Sequence, residues 1–284
     1  MDDLWFSEYH TPDVRFSIRV SAQLHQEQSE YQRISVYVSP EFGRFLTLGG
    51  VLMLTERDEF VYHEMITHVP MAVNPHIRSV LVFGAADGGV ARELCKYDTV
   101  EKIDIVEIDK RVVEVSKKFM PNTAKSFGDP RVNLHYIDGL KYIRHNRETY
   151  DLVIVDSNDP SGPGEVLFTK EFYGGCHNAL CENGILVSQY DDPFYREDQK
   201  ILRRAHFRIG SVFPVSKVYQ AHIPTYPSGH WLFGFASNHL HPVNDLQAGA
   251  WNALNIQTRY YNTNLHAGAF ALPNYVEEAL QRDA

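Results

Sequence analysis

Apolar and polar residues alternate along Arg15-Phe-Ser-Ile-Arg-Val-Ser21 and again along Gln32-Arg-Ile-Ser-Val-Tyr-Val38. A period of two marks a half-buried strand. Ser39-Pro-Glu-Phe-Gly43 reads as a turn. Residues 44–48 and 51–55 read as a hairpin around Gly49-Gly50. Residues 1–55 are therefore expected to form a small N-terminal antiparallel β domain with a single sheet. At residue 56 the period changes. In Thr55-Glu-Arg-Asp-Glu-Phe-Val-Tyr-His-Glu-Met-Ile66 the apolar positions 60, 61 and 65 have helical spacing, and acids fill the first turn. Strands and helices then alternate: a strand at 79–83, a helix at 89–96, a strand at 102–107, a helix at 110–119, then strands at 132–137, 151–155 and 184–189. This alternation predicts an α/β domain over residues 56–284, with a mainly parallel sheet and helices on both faces.

Four of the expected strands end in acids. Asp156-Ser-Asn-Asp159-Pro-Ser-Gly-Pro-Gly-Glu165 follows the apolar run 150–155, and its prolines and glycines keep it from becoming helix. Ligands of open α/β sheets bind at such carboxyl ends. Two acids with no base beside them suit a cationic substrate, although an Asp there also serves as a turn residue. Upstream, Gly84-Ala-Ala-Asp87-Gly-Gly89 joins a strand to a helix. Its spacing is not GxGxxG, and Asp87 would repel a pyrophosphate at the helix N-terminus, so a dinucleotide is disfavoured. An ammonium group would be welcome there. Glu107, 20 residues after Asp87, stands where an acid commonly accepts from ribose hydroxyls. Asp109 reads as the cap of the next helix, and Asp138 as an acceptor for an adenine amino group. In this order the acids describe a nucleoside cradle without phosphate contacts, as S-adenosyl ligands require.

Bulk properties narrow the field. The net charge of −9 over 284 residues argues against nucleic acid as a partner. No run approaches a membrane span, and the acidic N-terminus is not a signal peptide. Cys95, Cys176 and Cys181 form no CxxC pair, which suits a reducing, cytoplasmic setting. His63 and His68 are five apart, the wrong spacing for a helical metal pair, so no metal is expected.

The motifs together resemble the spermidine synthase family, the bacterial polyamine aminopropyltransferases, over nearly the whole chain. The resemblance is carried by Leu4-Trp5-Phe-Ser-Glu8, Ser29-Glu-Tyr-Gln32, the 55–65 segment, Asp87-Gly-Gly, Val106-Glu-Ile-Asp109, Asp129-Pro-Arg, Asp138-Gly139 and Asp156-Ser-Asn-Asp159-Pro. It continues in Gly162-Pro, Leu167-Phe, Ile223-Pro-Thr-Tyr226-Pro-Ser-Gly229 and Tyr260-Tyr-Asn with His266 and Ala-Phe-Ala-Leu-Pro273. These last two blocks are more specific than any glycine loop. The resemblance implies a Rossmann-like domain behind the β domain, and transfer of the aminopropyl group of decarboxylated S-adenosylmethionine, a co-substrate, to putrescine, with no further cofactor. It implies that Gln32, His63, Asp87, Glu107, Asp138 and Gly139 hold the donor, and that Asp156 and Tyr62 activate the attacking amine. It implies that Asp159, Gln189 and Tyr226 line the diamine channel with Trp5 near its mouth, and that homodimers or homotetramers assemble through the N-terminal part.

The chain departs from the family pattern in places. Gly84-Ala85-Ala86-Asp87 stands where Gly-Gly-Gly-Asp is usual, and Leu48-Gly49-Gly50 where Leu-Asp-Gly is usual. Met53 replaces a frequent Gln, Gln189-Tyr-Asp-Asp-Pro-Phe is acidic and bulky, and His230 replaces a familiar Leu. The alanine pair is expected to weaken donor binding without abolishing it. The departures leave room for another amine acceptor (agmatine, cadaverine or a longer polyamine), an amine N-methyltransferase, or a homologue that only binds or regulates.

Overall fold

The computed structural model describes residues 4–157 and 165–281. Asp159, in the expected channel, lies outside the described residues. The N-terminal region is β-rich as its alternation predicts, but it builds two antiparallel sheets rather than one. β1 (Leu4–Thr11) pairs with β2 (Val14–Val20) as a ribbon, and β3 (Ala22–Gln28), β4 (Arg33–Ser39), β5 (Gly43–Leu48) and β6 (Val51–Thr55) form a four-stranded sheet. Ile18 and Val20 of the ribbon pack with Phe45 and Leu52 of the sheet, with Phe6, Phe16 and Tyr37 around them. The alternation missed β1 because Leu4, Trp5 and Phe6 are consecutive apolar residues on a ribbon open to solvent on one side.

The third sheet follows α1 (Glu59–Val73), its strands alternating with helices in the order β7 (Ser79–Gly84), α2 (Gly89–Leu94), β8 (Lys102–Glu107), α3 (Lys110–Phe119), α4 (Pro121–Ala124), β9 (Val132–Tyr136), α5 (Gly139–Ile143), β10 (Tyr150–Asp156), α6 (Lys170–Ala179) and β11 (Leu180–Gln189). α7 (Arg196–Gly210), β12 (Val215–His222) and β13 (His230–Ser237) extend it, and α8 (Ala248–Ala253), α9 (Thr263–Ala269) and α10 (Asn274–Gln281) close the chain. The strand order is β12-β13-β11-β10-β7-β8-β9. The five strands from β11 to β9 are parallel, while β13 runs antiparallel to both β11 and β12. The sheet is thus mixed, with its antiparallel pair at one edge. From β7 the chain steps outward to β8 and β9, then returns to β10 on the other side. The switch point between β7 and β10 is where a ligand crevice opens in such sheets.

α1 is buried on nearly every face, as a helix inside two layers must be. The most specific sequence blocks hold it there. Glu64 accepts the amides of Arg259, Tyr260 and Tyr261 at 2.8–3.1 Å. His266 lies 2.8 Å from the Tyr261 hydroxyl and 2.9 Å from the Pro242 carbonyl oxygen. Asp58, just before α1, accepts from the Thr225 amide and hydroxyl at 3.0 and 2.7 Å, fixing the 223–229 loop. These residues position the helix and the loop rather than entering the crevice. No helix among the described residues is long and apolar enough to cross a membrane.

Candidate active site

A cavity of about 550 Å³ opens over the carboxyl ends of the parallel strands. The strand order arranges its acids in a row. Asp138 follows β9, Glu107 ends β8, Asp87 follows β7 and Asp156 ends β10; Gln189 ends β11 beyond them. Adjacent strands are roughly 5 Å apart, so the row has the pitch of successive groups along one ligand.

On the β7 to β9 side each acid is held by a nearby amide. Asp138 accepts from Lys141 N at 2.8 Å and caps α5, whose first residue, Gly139, also lines the cavity. Glu107 accepts from Asp109 N at 2.7 Å. Burial, reinforced by the Asp109 charge, pushes its carboxyl up to about 7. Asp109 caps α3 as expected, accepting from Arg111 N at 3.0 Å; it also takes the Ser29 hydroxyl at 2.6 Å and the Gln32 amide at 3.5 Å. Gln32 itself reaches the cavity from the edge of β4. Asp87 accepts from Gly89 N at 2.7 Å, and His63 Nε2 lies 3.2 Å from it. His63 Nδ1 donates to Glu59 at 2.6 Å, and Arg92 grips Glu59 at 2.7 and 2.8 Å. Burial works against charge on His63, but Asp87 and Glu59 outweigh it and hold the ring up at about 10. The ring is therefore an imidazolium at neutral pH. Gly89 makes this contact possible, because a Cβ there would sit 2.2 Å from the His63 ring.

The two alanines of the turn differ. Ala85 has φ 56°, in the left-handed region, whereas the φ of Ala86 is not positive. Ala85 N donates to the Asp156 carbonyl at 3.1 Å, and Gly84, at φ 83°, passes so close that a Cβ would lie 1.9 Å from that oxygen. The turn is thus locked to the end of β10, and Ala85 carries backbone strain.

On the other side, the Tyr62 hydroxyl donates to Asp156 Oδ1 at 2.5 Å. Burial, with the Asp87 charge added, raises the Asp156 carboxyl above its ordinary range, and burial keeps Tyr62 protonated. Gln189 Nε2 donates to the Ser157 carbonyl at 2.6 Å, and the Tyr226 hydroxyl donates to the Met53 carbonyl at 2.6 Å. Tyr226 lies 6.2 Å from Tyr62, ring to ring, with Trp231 4.7 Å away on its other side.

Trp5, expected near the channel mouth, is 53% exposed and is not part of the described lining. Glu8, Tyr9 and His10 of the same strand line the cavity instead. Asp191 and Asp198 join them from beyond β11. Sequence reasoning assigned no role to these residues. The signals present were the Leu4–Glu8 block and the acidic segment after Gln189, both visible but unplaced.

Two family models match the chain: the spermidine synthase tetramerisation domain over residues 4–56 and the spermine/spermidine synthase domain over residues 59–248. The polyamine aminopropyltransferase of Alkaliphilus oremlandii is 61% identical over 99% of each chain, and that of Clostridium beijerinckii 59% over 98% of each. Among solved structures, a spermidine synthase in complex with the transition state analogue AdoDATO is similar at TM-score 0.95 and 39% identity, covering 98% of this chain and 94% of that one. The Thermotoga maritima spermidine synthase is similar at TM-score 0.92 and 38% identity, with the same coverage.

Proposed function

The chain belongs to the spermine/spermidine synthase family and is a polyamine aminopropyltransferase; from that premise we propose that it transfers the aminopropyl group of decarboxylated S-adenosylmethionine to putrescine, giving spermidine and 5'-methylthioadenosine. One observation carries the reading. The cavity's described lining has seven carboxylates and no lysine or arginine. A donor that kept its carboxylate would meet Asp87 with no lysine or arginine in that lining to receive it; a donor with only an ammonium meets a counterion. This disfavours an amine N-methyltransferase that uses S-adenosylmethionine.

In this reading the donor lies along β9, β8 and β7. Asp138 and the Gly139 amide edge receive the adenine, Glu107 accepts from the ribose hydroxyls, and Gln32 closes over them. Asp87 holds the aminopropyl ammonium. His63 lies against Asp87 and keeps it ionised. The acceptor enters beside β10 and β11, between Tyr62, Tyr226 and Gln189.

The amine nitrogen attacks the carbon next to the sulfonium. The carbon–sulfur bond breaks, and its electron pair goes to sulfur, leaving a neutral thioether that needs no acid. The difficulty lies in the nucleophile. An amine of lysine-like pKa costs roughly 4–5 kcal/mol to deprotonate at pH 7. Asp156 takes that proton, its raised carboxyl making it a better base than an ordinary carboxylate. Tyr62 orients it, and alignment of amine and carbon supplies further acceleration.

We also take the chain to assemble as a homodimer or homotetramer through its N-terminal sheets, whose ribbon exposes Leu4, Trp5, Tyr9 and Val14. The test of the reaction is direct. Purified protein is incubated with decarboxylated S-adenosylmethionine, and in parallel with S-adenosylmethionine, each with a panel of amines, and products are read by mass. Spermidine from putrescine supports the reading; methylated amine from S-adenosylmethionine overturns it.

A further inference from the structure

The strand order gives the cleft a direction. The donor occupies the β9 to β7 side, so the acceptor must extend from Asp156 toward β11 and β13, and whatever bounds that end limits its length. The boundary is built by two distant elements. From β1, Glu8 is buried, with Oε2 accepting the Leu52 amide at 2.7 Å, and His10 follows two residues later. The β1–β2 register shifts between Tyr9 and Thr11, so His10 sits in a bulge, a device that re-aims a side chain. From the other side come Asp191, two residues past the end of β11, and Asp198 in the first turn of α7. His10 Nε2 lies 2.8 Å from Asp198 Oδ2, and its ring packs 4.4 Å from Tyr195. The fourth acid, Asp192, is committed elsewhere: it accepts from the amides of Phe194 and Tyr195 and from the Ser228 hydroxyl. Glu8, Asp191 (whose Oδ1 accepts the Asp192 amide at 2.8 Å) and Asp198 line the recess, and the basic group among them is the His10 imidazole. Asp198, Asp192 and Asp191 together favour the charged form of His10 over the neutral one.

We propose that His10 fixes the length of the amine acceptor: its ring fills an acidic recess, bounded by Glu8, Asp191 and Asp198, that would otherwise receive the third ammonium of a triamine. A diamine ends short of the ring and is unaffected by it. A triamine adds one three-carbon arm and one charge, and meets the His10 ring in the place of its counterion. His10 is thus a specificity determinant, and the inference rests on the reading of the site given above.

The test compares putrescine and a triamine, spermidine, as acceptors for the full-length protein with decarboxylated S-adenosylmethionine, products read by mass. The readout is the ratio of kcat/KM for the triamine to that for putrescine. His10→Ala is expected to raise this ratio at least about tenfold, the effect of one additional charge-assisted hydrogen bond to the triamine. His10→Lys places a cation in the recess and is expected to leave the ratio within about twofold of wild type. Adding Asp198→Asn to His10→Ala removes the counterion, and the rise should fall away. Thermal melts identify a variant that fails to fold; should His10→Ala do so, His10→Gln, which preserves volume without charge, carries the test. An unchanged ratio in the folded variants overturns the inference. So does a wild-type enzyme that already accepts the triamine as readily as putrescine. A wild-type enzyme inactive on both amines overturns instead the reading of the site on which the inference rests.

Discussion

On the side of the cleft proposed for the donor, each carboxylate is held by its own stretch of chain. Asp87 accepts an amide two residues away, Glu107 one two residues away and Asp138 one three residues away. On the acceptor side the contacts span the sequence: Tyr62 to Asp156 over 94 residues, and Tyr226 to Met53 over 173. The donor half takes its geometry from strand ends and helix starts, which any copy of the fold reproduces. The acceptor half is an assembly of groups from β1, β6, α1, β11 and the 223–229 loop, which meet only through the tertiary fold. A cleft of this kind keeps one donor and can vary its acceptor.

The largest test removes the group where the halves meet. Asp156→Asn preserves shape and loses proton affinity. Turnover is expected to fall at least about 100-fold, with donor affinity by calorimetry little changed. Because the Asp156 carboxyl is raised by burial, wild-type kcat should also decline on the acid side at a pH above the ordinary carboxylate range, as the base becomes protonated. A near-normal turnover in Asp156→Asn would take the proton-accepting role away from it.

Asp87→Asn probes the donor half through affinity, while also removing a charge that raises the Asp156 carboxyl. It should weaken the decarboxylated donor by about 10- to 100-fold, the range for a lost hydrogen bond to a charged group, while narrowing the preference over S-adenosylmethionine. Equal affinities of the wild type for the two donors would contradict the counterion role.

The same contrast decides what the sequence made legible. Glu107, Asp109 and Asp138 could be placed because strand period, strand end and cap are all local signals, and the Asp109 cap stands as expected. The parallel strands from β7 to β10 were visible for the same reason. The antiparallel edge, β12 and β13, was not, because the alternation of β and α elements stops at β11. Glu8, His10, Asp191 and Asp198 left only weak traces, since their meeting depends on how the N-terminal ribbon docks against α7, a long-range event with no local period. Trp5 and Glu8 belong to one motif, yet the pleat leaves Trp5 exposed while Glu8 is buried.

Glu107→Gln tests whether the donor half holds its charge at a cost to the empty protein. Folding raises the Glu107 carboxyl from 4.5 to about 7. A raised carboxyl contributes stability that is present below the unfolded value and lost as pH rises through the folded one. Relative to Glu107→Gln, wild type should therefore lose stability between about pH 4.5 and 7. The difference should be on the order of 1 kcal/mol at pH 8, discounted because the group faces the open cleft. Donor affinity should move the other way, falling about tenfold in the variant as charged acceptors to ribose are lost. Parallel melting curves for the two proteins from pH 4 to 8 would show that Glu107 is not strained by its charge.

The smallest expected effect concerns Ala85, and it separates strain from function within the donor half. At φ 56° an alanine carries the steric penalty of the left-handed region, about 1–2 kcal/mol. Glycine removes that penalty but gives back part of it through the greater freedom of the unfolded chain. Ala85→Gly should therefore stabilise the protein by about 1 kcal/mol or less, a rise of a few degrees at most for a chain of this size. Ala86 lacks the unusual φ, so Ala86→Gly should do the opposite and lower the melting temperature slightly. For the donor the two effects part. The turn is already pinned by the Ala85 amide on the Asp156 carbonyl and by the Asp87 carboxylate on the Gly89 amide, so relief of strain should lower the donor's KM only a few-fold and leave acceptor choice untouched. A change in acceptor preference in Ala85→Gly would mean that the two halves of the cleft are coupled through this turn, and that the acceptor side does not vary independently.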